Sequence, residues 1–347
     1  MRGLGRIGCL GWRLAGAALI LGAAVLGGIC IGETRIPPGT VLAVLANRLF
    51  DAGFPVAPID DGIVWAYRLT RALVAAGCGA GLAVCGVILQ ALLRNPLADP
   101  YLLGISAGAS TGAVLVAVAG IGAGAVSMSL GAFAGAVAAF AIVAALARAA
   151  GGGVGTRGAG LIILSGIAGS QLFNALTSFL IARSANAEQA RGILFWLMGN
   201  LSGVRWPDVA LALPAAVLIV VVALWHTRAL DAFTFGADSA AALGVPVRRV
   251  QALLILATAL ATAALVSITG SIGFVGLVVP HAARLLAGPR HGTMMPLAAL
   301  IGAVFLIAAD VLSRIVVPGQ VLPIGVVTAL VGAPAFALIL VRGRAAG

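Results

Sequence analysis

Between Asp99 and Arg148 the chain carries no charged side chain at all. A membrane-crossing helix needs about 20 apolar residues, so this stretch is too long for one crossing. It suits a tight helical pair, broken near Gly120 to Gly124. Elsewhere the pattern recurs, with 62% of the 347 residues hydrophobic and only 9% charged. No water-soluble surface can be built from such material. The chain therefore reads as an all-α, polytopic membrane protein, a single transmembrane domain over 1–347 with about ten transmembrane helices. They fall near 12–32, 64–90, 97–118, 125–148, 159–182, 206–226, 249–270, 272–287, 295–315 and 323–342. The apolar run from 250 to 280 is too long for one span and short for two, which predicts a truncated or broken eighth helix near Gly270 to Gly276.

Charge gives the topology. All 21 basic residues are Arg, and the net charge is +11. They are scattered among loops and form no compact basic face, which argues against a nucleic-acid partner. With the N-terminus inside, Arg2, Arg6, Arg13, Arg94, Arg148, Arg157, Arg228, Arg248, Arg249, Arg284, Arg290, Arg342 and Arg344 all fall on the cytoplasmic side. Glu33, Asp51, Asp60, Asp61, Glu188 and Asp208 fall outside, so both termini are expected to be cytoplasmic, with an uncleaved first span.

Enzyme chemistry finds little footing. No GxSxG or HExxH occurs, and a Walker A loop needs a Lys that this chain lacks. Any ATP must therefore be bound by another subunit. Cys9, Cys30, Cys78 and Cys85 lie in or beside apolar runs as small packing residues, and His226, His281 and His291 read as interfacial polar residues rather than metal ligands. No cofactor or metal is expected. Glycines at small-xxx-small spacing, such as Gly77 with Gly81 and Gly131 with Gly135, allow close helix approach.

The functional candidates are polar residues in or against the membrane. Asp310 and Arg314, spaced i, i+4, can pair on one helix face, or Arg314 can join Arg68 and Arg71 in an outward-facing cluster that attracts an acidic partner. In RNPLADP, Arg94 to Pro100, two prolines forbid a regular helix and mark a rigid cytoplasmic bend. The longest predicted cytoplasmic loop, Asp231 to Arg249, holds a very short helix. Asp238 is its expected N-cap, Gly244 a left-handed stop, and Pro246 blocks continuation.

The words RLTR (Arg68 to Arg71), RNPLADP after Gln90, LLGISAGA (Leu102 to Ala109), ILFWLMGNLSG (Ile193 to Gly203), LGVPVRR (Leu243 to Arg249), GSIGFVGLVVPHAAR (Gly270 to Arg284), AADVLSR (Ala308 to Arg314) and LPIGVVTALVGAPAF (Leu322 to Phe336) run in order from about residue 60 to the end. Together they resemble the permease subunits of ABC importers for ferric siderophores, haem and cobalamin. The resemblance implies the cobalamin-importer-type permease fold in a bacterial inner membrane. It also implies a homodimer, two cytoplasmic ATP-binding subunits and a periplasmic substrate-binding protein. By motif, Arg68, Arg71 and Arg314 correspond to residues that dock the binding protein. Gly236, Ala237, Asp238, Ser239, Leu243, Gly244 and Val245 correspond to the loop that couples to the ATPase. Asn95, Pro96 and Leu97 correspond to a cytoplasmic gate, and the fifth and tenth spans to the walls of the path.

The chain departs from the family pattern in three places. Val321 stands where many relatives have Glu before Leu-Pro, Gly158 and Ala159 stand near a gate that elsewhere carries small hydroxyl residues, and RLTR replaces the commoner Arg-x-Pro-Arg. The expected function is import of an iron chelate or related metal tetrapyrrole, driven by ATP hydrolysed elsewhere. The rival reading is an ion-coupled secondary transporter with Asp310 as its proton site.

Overall fold

The computed structural model describes residues 2–120, 127–152, 156–183 and 187–345, with the side chains of 2–14, 119, 156, 157, 159 and 339–345 outside the description. Among these residues there is no strand. The helices are α1 (Arg2–Cys30), α2 (Pro38–Phe50), α3 (Pro58–Gly62), α4 (Leu69–Leu92), α5 (Ile105–Ala119), α6 (Met128–Ala149), α7 (Thr156–Ala182) and α8 (Ala187–Leu197). The second half adds α9 (Trp206–Trp225), α10 (Thr227–Phe233), α11 (Ala237–Ala242), α12 (Val247–Thr269), α13 (Val275–Ala287), α14 (His291–Ile315) and α15 (Ile324–Ala345).

Ten of these are apolar along their length and follow the expected order of spans: α1, α3 continuing into α4, α5, α6, α7, α9, α12, α13, α14 and α15. Their bounds depart from the hydropathy pattern where backbone conformation intervenes. The third span starts late, at Ile105, because Asp99 accepts the Tyr101 amide at 2.9 Å, a 3-10 turn covers Pro100–Leu103, and Gly104 adopts φ 76°. α5 then stops at Gly120; residues 121–126, which hold the rest of the expected break, lie outside the described residues. The eighth span is short as expected. α12 ends at Gly270, and α13 restarts only after Phe274, a non-glycine residue at φ 69°, giving 13 residues.

At the centre lies α4, in which every residue but Leu73 and Ala80 is buried. It packs on α14, α9, α13 and α12, and a second group joins α5, α6 and α7. Small residues make these approaches possible. A methyl added at Gly79 would lie 2.1 Å from the Gly302 carbonyl oxygen, and one added at Gly86 would lie 2.0 Å from that of Gly276. On α6 the anticipated Gly131 and Gly135 meet Gly112 and Gly108 of α5 in the same way.

One element carries no hydropathy signal. Ile63–Arg68 is a π-helical turn joining α3 to α4, and Arg68 is its last residue. Single π turns inside α-helices are frequent at functional sites.

Candidate functional site

The polar residues singled out by sequence collect at the two ends of α4 and α14, which run antiparallel against each other. At the end where α4 begins and α14 finishes, two arginines share one carboxylate and a third, Arg68, sits beside Arg314. Arg71 donates to Asp310 Oδ1 from Nη2 at 2.6 Å and from Nε at 3.2 Å, while Arg314 Nη2 reaches Oδ2 at 3.0 Å. The expected i, i+4 pair is thus present, with Arg71 as a second partner. Arg71 also donates to the Tyr67 hydroxyl at 2.8 Å and to Ser202 Oγ at 3.3 Å.

A surplus of positive charge remains, and the C-terminal end of α1 absorbs it. Arg314 donates to the carbonyls of Gly28 and Ile31 at 2.8 and 2.9 Å. Arg68 donates to Ile29 at 2.8 Å, to Cys30 at 3.3 Å and to Thr34 O at 2.5 Å. The last carbonyls of a helix lack intrahelical donors and carry its negative dipole end, so two guanidiniums there satisfy geometry and charge together. The expected outward-facing cluster is therefore folded into the protein: Arg68, Arg71 and Arg314 are 4%, 1% and 5% exposed. A guanidinium has five donors in a fixed fork, and α1 supplies acceptors that hydropathy alone cannot locate.

At the opposite end, Gln90 ties the two most distinctive sequence words together. Its Nε2 donates to the Ala98 carbonyl at 3.4 Å and the Gly276 carbonyl at 3.3 Å, and its Oε1 accepts from Arg284 Nη2 at 3.1 Å. Nearby, the Tyr101 hydroxyl donates to the Ile272 carbonyl at 2.8 Å and accepts from the Ile272 amide at 2.9 Å. The bend between α4 and α5 is self-sealed. Arg94 takes φ 48°, Asn95 Oδ1 accepts from the Leu97 amide at 2.9 Å, and the Asn95 carbonyl accepts from Ala98 at 3.0 Å. Pro96 and Leu97 stand exposed at its tip.

The short cytoplasmic helix is α11. Gly244, at φ 81°, ends it as expected. Its N-cap is Gly236, at φ 110°, and Asp238 sits inside the first turn instead of capping it. Only Ala240 is buried within α11, which packs on α10 and α12 and leaves Ser239, Leu243 and the preceding Phe235 exposed. Ala237 and Val245 are half-buried.

Sequence reasoning missed the contact that anchors this region. Asp231, on α10, accepts from the backbone amide of His291 at 2.9 Å and lies 2.6 Å from its Nδ1, so it caps α14 from another helix. His291, at the first residue of its span as expected, is therefore also a buried, partnered residue. His281 instead bonds the Leu277 carbonyl at 2.9 Å and meets the Phe336 ring edge-on at 6.1 Å.

The sequence matches the FecCD transport family over residues 19–342. The cobalamin import system permease protein BtuC of Halobacterium salinarum is 42% identical over 84% of this chain and 76% of its own length. The Fe(3+) dicitrate transport system permease protein FecD of Escherichia coli strain K12 is 37% identical over 81% of this chain and 86% of its own. Among solved structures, an inward-facing ABC transporter assigned to the metal-chelate type superposes with a TM-score of 0.80 at 29% identity. It covers 95% of this chain and 99% of that one.

Proposed function

The chain belongs to the FecCD transport family, and on that premise we propose that it is the inner-membrane permease of an ABC importer for an iron chelate or related metal tetrapyrrole. The whole-length likeness to a solved transporter of metal-chelate type carries this reading. ATP is hydrolysed by two separate cytoplasmic subunits, and α11 is the segment that meets them. Its support is physical: a six-residue helix held by one buried alanine leaves Phe235 and Leu243 unpartnered, at 74% and 71% exposure. Asn95, Pro96 and Leu97 form the adjoining gate-side knuckle, made rigid by the Asn95 turn.

The working unit is a homodimer. α7 leaves Leu164, Ile167, Leu172, Leu176 and Phe179 exposed, and α15 leaves Leu330, Val331 and Leu338 exposed, which suits apolar walls shared with a second copy. A periplasmic binding protein delivers the substrate. Arg68, Arg71 and Arg314 serve this docking through their field, since their donors are engaged within the chain. Three arginines against Asp310 and the nearby Glu33 leave a net positive charge beneath that surface, and such a field steers an acidic partner over distance.

Reconstitution tests the whole reading. Vesicles holding this chain with its ATPase, supplied with the binding protein, are expected to take up chelate only with ATP. Uptake by the chain alone under a proton gradient would overturn it in favour of a secondary transporter. The geometry of Asp310 already weighs against that rival, because both its oxygens are occupied by guanidiniums.

A further inference from the structure

A cavity of about 530 Å³ opens between α6 and α12, beside the start of α5 and α7, at the same end of the bundle as α11. Its walls are apolar: Leu103, Phe140, Val143, Ala144 and Ile255 among them. Its rim is not. Arg148, in the last turn of α6, and Arg248, at the start of α12, both line it, with Gln251 beside them. Both arginines are exposed, and among the described residues neither has a hydrogen-bond or ion-pair partner.

We propose that this cavity binds an anionic phospholipid, its phosphate held between Arg148 and Arg248 and its acyl chain lying against Phe140, Val143, Ala144 and Ile255. Three observations converge on that occupant. The two cations lie at the ends of membrane-spanning helices, at headgroup level, and the charge pattern places that end on the cytoplasmic side. The apolar part runs inward along α6 from Arg148 to Phe140, about 12 Å at 1.5 Å per residue, which is the direction an acyl chain takes from its headgroup. Finally, both guanidiniums lack a protein anion, whereas Arg68, Arg71 and Arg314 at the opposite end are engaged within the chain. Basic pockets between spans on the cytoplasmic side have the character required for anionic headgroups.

The test uses the complete permease–ATPase complex, purified from nanodiscs of phosphatidylglycerol or of phosphatidylcholine and examined by native mass spectrometry. Wild type is expected to retain phosphatidylglycerol and release phosphatidylcholine. R148Q and R248Q should each weaken retention about fivefold, as expected for roughly 1 kcal/mol per arginine near a membrane surface, and the double variant should weaken it about 25-fold. R148K and R248K should keep it, since a point charge suffices for a phosphate. A144F, which leaves both charges and fills the apolar wall, should also remove the lipid. Glycerol 3-phosphate, the headgroup without chains, should not compete. Equal retention of phosphatidylcholine, undiminished retention by the double variant, competition by glycerol 3-phosphate or an A144F complex that still carries the lipid would each overturn the assignment.

Discussion

Arg71 and Arg314 divide the carboxylate of Asp310 between them, Arg71 Nη2 at 2.6 Å from Oδ1 and Arg314 Nη2 at 3.0 Å from Oδ2. The two arginines come from different helices, so one side chain of α14 fixes both its own last turn and the first turns of α4. The α1 carbonyls complete the coordination, and three segments distant in sequence become one joint.

Removing the shared anion strands its partners. Asp310→Asn is expected to destabilise the complex by about 3–5 kcal/mol, because buried cations then lack a counter-charge. Thermal unfolding followed in detergent measures this. Asp310→Asn with Arg71→Met is expected to lose less than Asp310→Asn alone, and a double-variant loss equal to the sum of the two single-variant losses would show that the charges act independently.

Asp231 caps α14 across a helix junction, so Asp231→Ala is expected to cost about 1 kcal/mol of stability, in the range of a lost N-cap. Asp231→Asn keeps an oxygen for the His291 amide and should recover most of it. Because α10 leads directly into α11, ATP hydrolysis stimulated by the binding protein is the second readout; Ala should lower it more than Asn.

Close helix crossings tolerate no added volume. Gly79→Leu or Gly86→Leu is expected to abolish folded protein in size-exclusion chromatography, since each new side chain would enter the backbone of a facing helix. Gly39→Leu, where an added methyl meets nothing within 4 Å, should elute as wild type.

Leu243 and Phe235 are exposed in the isolated chain, so Leu243→Asp and Phe235→Asp should leave thermal stability within about 0.5 kcal/mol of wild type. Co-purification with the ATPase subunit should fall at least tenfold. Undiminished co-purification would remove α11 from the coupling surface.

Much of this fold is legible in the sequence. Long charge-free runs located the spans, the glycine-rich stretch before α13 announced a shortened helix, and Gly244 with Pro246 ended α11 where turn chemistry requires. The Asp310–Arg314 pair follows from helical spacing alone. The partnership of Arg71 with Asp310 does not, being 239 residues apart, nor does that of Asp231 with His291, 60 apart. Local periodicity tells which face a residue occupies and is silent on which helix comes to face it. For the same reason the burial of Arg68, Arg71 and Arg314 is not legible: a cation at a span end has the same local sequence whether it meets water or the carbonyls of α1. The π-helical turn at Ile63–Arg68 left no trace either, because its composition differs little from that of the helix it joins.

The burial of α4 sets an unusual rule for its sequence. A crossing segment surrounded on nearly all sides by its own protein has no obligation to please lipid, and α4 accordingly holds Thr70, Arg71, Cys78, Cys85 and Gln90 among its enclosed residues. What it must satisfy is room. Its evolution is then constrained by volume and partner geometry, and its greasiness is inherited from the neighbours it has to fit, not from the membrane it happens to cross.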